Sequence, residues 1–254
     1  MIDTTTMALA ALLGVVGLVI GSFVNLVAMR LPKDEPIAMA RSRTDCCGQI
    51  LQPIELIPVL SWLAQRGRCR RCGEAVSARH PLVELTGAAI GVWAALASAS
   101  PIHAALTALF GWQLLLIALV DADALWIPDR LTLPLAASGL AAAALLSQTT
   151  VLAAMVGAVA GLVSLWLVRE VYRRLRGREG LGGGDPFLFG AVGAWVGWMG
   201  LPSVLLWACA AGLSWVASRA LLRRPLAADE PLPFGPFIAI GAWLTWVLGP
   251  IGLG

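Results

Sequence analysis

Residues 105–129, ALTALFGWQLLLIALVDADALWIPD, decide how this chain is read. An apolar run long enough to cross a bilayer ends in three carboxylates, Asp121, Asp123 and Asp129, with Pro128 just before the last. Membrane helices usually end in Lys, Arg, Trp or Tyr, so an acidic exit calls for a reason. Residues 182–197, GGGDPFLFGAVGAWVG, lead into another apolar run and place Asp185 at its mouth. Two acids at the ends of two spans, on one side of a membrane, suggest a site.

The remaining sequence supports a membrane bundle. Of 254 residues, 59% are hydrophobic and 13% charged, about half the charged share of a soluble domain; mean hydropathy is +0.82. Eight spans are predicted, near residues 7–29, 85–98, 103–120, 131–146, 151–168, 187–199, 203–222 and 234–248. The fold class expected is therefore all-α, a polytopic bundle of about eight transmembrane helices. It divides into a first span (1–29), a small cytoplasmic segment (30–84) and a seven-span catalytic membrane domain (85–254).

The 18 Lys and Arg fall in four stretches: nine from Arg30 to Arg79, Arg130 alone, five from Arg169 to Arg178 and three from Arg219 to Arg224. With both termini outside, eight spans put every one of these on the cytoplasmic side, together with the loops that hold Asp121 and Asp185. The turns expected outside, near Ser100, Gln148 and Leu201, contain no Lys or Arg. The basic residues are thus a topology signal in a protein embedded in membrane lipids, and no nucleic-acid partner is expected. No basic residue precedes the first run and no clear small-residue cleavage site follows it, so it reads as a retained span. The 27 glycines suit helices that must approach closely, because lipid gives them no hydrophobic reason to associate.

Two acids sharing an apolar site cannot easily both ionise, which lets one activate water while the other donates a proton. Asp121 and Asp185 could form such a pair. Equally, Asp185-Pro186 is a good helix start, Asp129 could cap span four, and Asp121 and Asp123 could mark the water boundary. A proton-coupled carrier using the same carboxylates is the alternative in a different functional class.

The chain resembles the type IV prepilin peptidases, membrane aspartyl proteases with a G-x-G-D motif. That motif stands here as Gly182-Gly183-Gly184-Asp185, and the family's earlier aspartate, ahead of an (I/L)-P-D motif, falls on Asp121 before Ile127-Pro128-Asp129. The blocks GSFVNLVAMRLP (21–32), IPVLSWLAQRGRCRRCG (57–73), RHPLVEL (79–85) and PFGPFIAIGA (233–242) extend the resemblance over essentially the whole chain. It implies that Asp121 and Asp185 are the catalytic pair, with Asp123 and Asp129 supporting or capping. It further implies that the protein lies in the bacterial inner membrane and cuts the basic leader from type IV prepilins or type II secretion pseudopilins. S-adenosylmethionine-dependent methylation of the new N-terminus is a second family expectation. Members commonly carry Lys two residues after the G-x-G-D acid; this chain has Phe187 there.

Cys69 and Cys72 have the spacing of one arm of a thiolate zinc site, with Gly73 to turn the arm. The family's second C-x-x-C aligns with Thr44 and Cys47, and Cys46 is an extra neighbour. Cys46, Cys47, Cys69 and Cys72 are the candidate ligands of a structural zinc, with Asp45 or His80 as possible completions. The alternative is a set of reduced cytoplasmic thiols. Cys209, inside span seven, reads as a small packing residue. His80 is expected as an interfacial hydrogen-bond partner, Asn25 as an amide near the boundary, and Glu84 as a cap, a partner for Arg79 or a contact for the basic leader.

Overall fold

The computed structural model describes residues 3–37, 43–44, 46–146, 149–223 and 231–252. Asp45, Gln148 and most of the loop expected at 223–233 lie outside the described residues. Among the described residues the fold is all-α: eight α-helices, two short 3-10 turns at Leu31–Lys33 and Pro53–Leu56, and isolated bridges but no strand. The helices are α1 (Thr4–Arg30), α2 (Leu60–Ala64), α3 (Arg79–Ala97), α4 (Pro101–Ala124), α5 (Asp129–Leu145), α6 (Val151–Arg176), α7 (Asp185–Leu221) and α8 (Gly235–Leu248). Five of them, α1, α3, α4, α6 and α7, are long and apolar enough to cross a bilayer.

The eight expected spans correspond to seven helices, because spans six and seven are consecutive parts of α7. At 37 residues α7 would run about 55 Å, nearly twice a bilayer's apolar thickness of about 30 Å. It breaks at Gly197, where φ 69° and ψ 172° are non-helical and open only to a residue without Cβ. The break falls three residues before the expected turn at Gly200-Leu201-Pro202, and Pro202 lies inside the resumed helix. α5 and α8, with 17 and 14 residues, span only about 25 and 21 Å, so flanking residues must complete their crossings.

The chain forms two compact units, residues 1–112 and 113–254, with the boundary inside α4. In the first, α1 and α3 pack through glycines. A Cβ on Gly17 would strike the Gly87 carbonyl, one on Gly91 the Leu13 carbonyl, and one on Gly21 would lie 2.7 Å from the Val83 carbonyl oxygen. The opposite face of α1 presents Leu12, Val15, Val19 and Phe23, all exposed, as a lipid-facing surface requires. Asp3 caps α1 by accepting the Thr6 N–H at 2.8 Å.

In the second unit, α6 and α7 meet through Gly157 and Gly161 on one side and Gly190 and Gly193 on the other. The Gly157 and Gly193 carbonyls each fill the space that the other's Cβ would need. Trp195 of α7 is fully buried and donates its indole N–H to the Leu135 carbonyl of α5 at 2.8 Å. It also meets Trp246 of α8 edge to face, with ring centroids 5.3 Å apart. α6 extends well past residue 168, so Arg169, Arg173, Arg174 and Arg176 are helical rather than in a loop, and Gly177 ends the helix at φ 67°.

Candidate active site

α4 runs four residues beyond Val120, which makes Asp121 part of its last turn rather than a charge beyond its end. Asp121 is 5% exposed, and its Oδ2 accepts the Gly235 N–H at 2.8 Å. Gly235 opens α8, so this carboxylate takes one of the donors that a helix N-terminus leaves unpaired. Asp185 is the first residue of α7 and 3% exposed; its Oδ2 accepts the Gly182 N–H at 2.9 Å, from the turn before the helix. It therefore does not act as the N-cap, a position that falls on Gly184. Asp185 lies within electrostatic reach of both Asp121 and Arg169. Each carboxylate has one main-chain donor, which fixes one of its oxygens and leaves the other to hold a proton or bind water.

The link between the two acids is Ile127. The chain leaves α4 through Leu125, at φ 51°, whose N–H returns to the Asp121 carbonyl at 2.8 Å. Ile127 is buried, and a Cβ on Gly184 would come within 2.6 Å of its Cβ and 2.7 Å of its carbonyl oxygen. A Cβ on Gly235 would lie 2.7 Å from Asp121 Oδ2 and 3.0 Å from Ile127 Cδ1. The Ile-Pro-Asp segment thus packs against the glycine before Asp185 and the glycine that bonds Asp121. Asp129 begins α5 with its side chain exposed, and Asp123 is exposed on α4. Neither joins the buried pair. The sequence held one sign of Gly235's role, a glycine and a proline at the start of a helix in PFGPF, but backbone donors leave no residue-type signature.

The cysteine segment forms two matching turns. Arg43 bridges Ile50 as Arg68 bridges Ala75. Thr44 N–H bonds the Gln49 carbonyl at 2.8 Å as Cys69 N–H bonds that of Glu74, and Gly48 and Gly73 close the turns at φ 66° and 74°. Thr44 therefore occupies the place of Cys69, and Cys46 occupies that of Arg71. Yet the four thiols of Cys46, Cys47, Cys69 and Cys72 all lie within 4.8 Å of one another, so Cys46 fills the gap left by Thr44. Neither Cys46 nor Cys47 takes a positive φ to do so. Cys72 and Cys46 sulfurs are 3.2 Å apart, and those of Cys47 and Cys69 4.0 Å. Main-chain N–H groups of Cys72 and then Arg71 draw the Cys69 thiol down to about 6, whereas contact with the Cys72 thiol and burial push Cys46 up to about 12. Cys209 lies apart on an exposed face of α7, not packed in the core.

Nearby in the first unit, Asn25 bridges the Arg79 guanidinium at 2.9 Å and the His80 Nδ1 at 2.9 Å. Glu84 is buried inside α3 and accepts the Val59 N–H at 2.7 Å, beyond the position of a cap for that helix. Val59 itself, at φ 60°, gave no sequence signal. A cavity of about 760 Å³ is lined by Asn25, His80, Glu84, Glu55, Trp62 and Arg68, among others.

A helical membrane bundle with two buried aspartates on glycine donors defines a membrane-embedded protein with an acid pair. The chain belongs to the type IV leader peptidase family, which it matches over residues 108–217, while residues 15–98 match the bacterial peptidase A24 N-terminal domain. It is 40% identical to a prepilin leader peptidase/N-methyltransferase of Burkholderia pseudomallei (strain K96243), covering 92% of this chain and 84% of that protein. Proteins of the same name from Aeromonas hydrophila and Pseudomonas aeruginosa are 37% and 35% identical, covering 91% and 92% of this chain and 88% of each relative. No solved structure matches the chain.

The packing of Gly184 on Ile127 makes a specific demand. Gly184→Ala is expected to shift Asp185 and cut the rate of leader cleavage by about 100-fold, whereas Gly212→Ala, whose Cβ would meet Phe237 at an ordinary 3.5 Å, should change it little. Equal rates for the two variants, measured on folded protein, would remove Ile127 from the architecture of the site.

Proposed function

We propose that this chain is an aspartyl endopeptidase of the bacterial inner membrane that removes the basic leader of type IV prepilins or type II secretion pseudopilins, with Asp121 and Asp185 as its catalytic pair. The observation that carries the reading is the burial of both acids, each on a single glycine N–H, within electrostatic reach of each other. Acids that merely mark the water boundary are exposed, as Asp123 and Asp129 are. In this reading both termini lie on the outer, non-cytoplasmic side of the membrane, residues 30–84 face the cytoplasm and residues 85–254 form the catalytic membrane domain. The leader enters from the cytoplasmic side.

Catalysis needs one proton between the two acids. The ionised carboxylate takes a proton from water as the water oxygen attacks the scissile carbonyl carbon, and the protonated acid donates to the carbonyl oxygen. The tetrahedral intermediate then collapses: the C–N bond breaks, the first acid returns its proton to the leaving nitrogen, and the second recovers its own from the diol. The products are a leader with a new carboxylate and a mature chain with a free amine. Methylation of that amine, the second activity in the relatives' names, requires S-adenosylmethionine, which supplies the methyl group. The cavity of about 760 Å³ is large enough for a nucleoside, but Arg30, Lys33, Arg43, Arg68, Arg70 and Arg71 outnumber the carboxylates of Glu35, Glu55, Glu74 and Glu84 in its lining, so its charge does not select a sulfonium.

A structural zinc fits the cysteine cluster. Tetrahedral zinc–thiolate bonds place sulfurs about 3.8 Å apart, and the observed 3.2 and 4.0 Å bracket that value. Cys46, Cys47, Cys69 and Cys72 would hold the ion, which would fasten the two turns of the 30–84 segment together.

Two measurements test these readings. Purified protein in lipid should shorten a type IV prepilin, with methylation of the product read by mass spectrometry when S-adenosylmethionine is present. Asp121→Asn and Asp185→Asn should each slow cleavage by about 1,000-fold or more, to a residual rate; cleavage at the parent's rate by either folded variant would sink the catalytic assignment. Metal analysis should find about one zinc per chain, lost in Cys72→Ser together with protease resistance of the 30–84 segment. A metal-free parent with four readily alkylated thiols would favour reduced cysteines.

A further inference from the structure

We propose that Arg169 is a positioning residue for Asp185, supplying from α6 the positive charge that the segment Asp185-Pro186-Phe187 lacks. The inference rests on the leader-peptidase reading of the Asp121–Asp185 pair. Arg169 sits about two turns before the end of α6, and its side chain is 27% exposed. Its Nη2 bonds Glu179 Oε1 at 2.9 Å and lies 3.8 Å from where a Cβ on Gly183 would stand, two residues before Asp185. Its Nε is buried with no hydrogen-bond partner, an expensive state for a charged group unless an anion or substrate group compensates.

The neighbouring arginines are arranged differently. Arg173 and Arg174 both bind Glu170, at 2.7 and 2.6 Å, and are 55% and 76% exposed, so they stay in the solvent-facing part of the helix. Arg169 points instead at the turn that presents the aspartate. Glu179 does not cancel its effect: that carboxylate is 62% exposed and screened by water, whereas Arg169 is 27% exposed with its Nε buried, so its charge is less screened. Glu179 serves as the tether. It ties residues 169 and 179 across the turn, and Gly180 beside it packs on the Tyr172 ring, leaving no room there for a Cβ.

The two acids differ accordingly. Each accepts one backbone N–H, but Asp185 also has Arg169 within electrostatic reach. Two buried carboxylates within electrostatic reach repel, and a guanidinium beside the turn that carries one of them offsets that repulsion. Phe187, two residues after Asp185, is exposed and apolar, so charge compensation has to come from another element. α6 provides it.

The test uses the full chain cleaving a prepilin in lipid, beside the parent and Asp185→Asn, with folding checked by thermal transition. Arg169→Gln and Arg169→Met, which differ in polarity so that at least one should fold, are expected to lower kcat about 10-fold or more with KM within about twofold. Arg169→Lys should recover most of the loss, and Glu179→Gln, which keeps the cation, should stay within about threefold of the parent. Parent-like kcat in either neutral variant overturns the proposal. So does Glu179→Gln as damaging as the neutral variants, which would make Arg169 a loop tether alone, or failure of folded Arg169→Lys to recover activity. A parent that cleaves nothing overturns the underlying peptidase reading, and this proposal with it.

Discussion

A carboxylate inside an apolar helix bundle has lost the water that would solvate it, and something in the protein must take water's place. Here two aspartates each receive one main-chain N–H, Asp121 from Gly235 and Asp185 from Gly182. Because the donors belong to the backbone, their positions follow from where helices begin and not from side-chain rotamers. A Cβ on Gly235 or Gly182 would stand 2.7 or 2.9 Å from the carboxylate oxygen it serves. The demand for glycine at these points is therefore steric. Ile127 depends on it as well, since it packs where Gly184 and Gly235 leave space.

The same economy of side chains governs the bundle. Helices in lipid associate through packing, which improves as their backbones approach. The Gly157–Gly193 contact brings α6 and α7 close, and with them the turn that links the two helices and carries the G-x-G-D segment. That approach places Arg169 beside Gly183. Trp195 uses the complementary device: a large buried ring filling the space beside Gly139, its one polar atom satisfied by the Leu135 carbonyl. Site and scaffold thus share one requirement, backbone in close contact with carboxylate, carbonyl or ring.

Much of this was legible in the sequence because it depends on composition along the chain. Apolar runs, acidic exits and glycine-turned cysteine arms are written in residue types, and the motif order carried the family resemblance. What escaped depends on contacts between distant segments. Asp121 looks like a water boundary until α8 brings Gly235 to it from 114 residues away. Proline at 202 suggested a turn, yet the backbone breaks at Gly197, where only glycine fits the geometry. Arg169 read as one more basic loop residue because nothing local shows that α6 continues through it. Cys46 looked misplaced beside Cys47; only the matching of the two turns shows that it compensates for Thr44. In each case the residue type was visible and its partner was not.

In the proposed mechanism Asp121 and Asp185 act as one unit. The most direct test compares kcat for leader cleavage in Asp121→Asn, Asp185→Asn and the double variant, all folded and in the same lipid. A single catalytic unit predicts that the double variant is no slower than the worse single variant, because either loss already removes the shared proton transfer. If the two effects instead multiply, the aspartates contribute independently, and the buried pair is not the centre of the reaction.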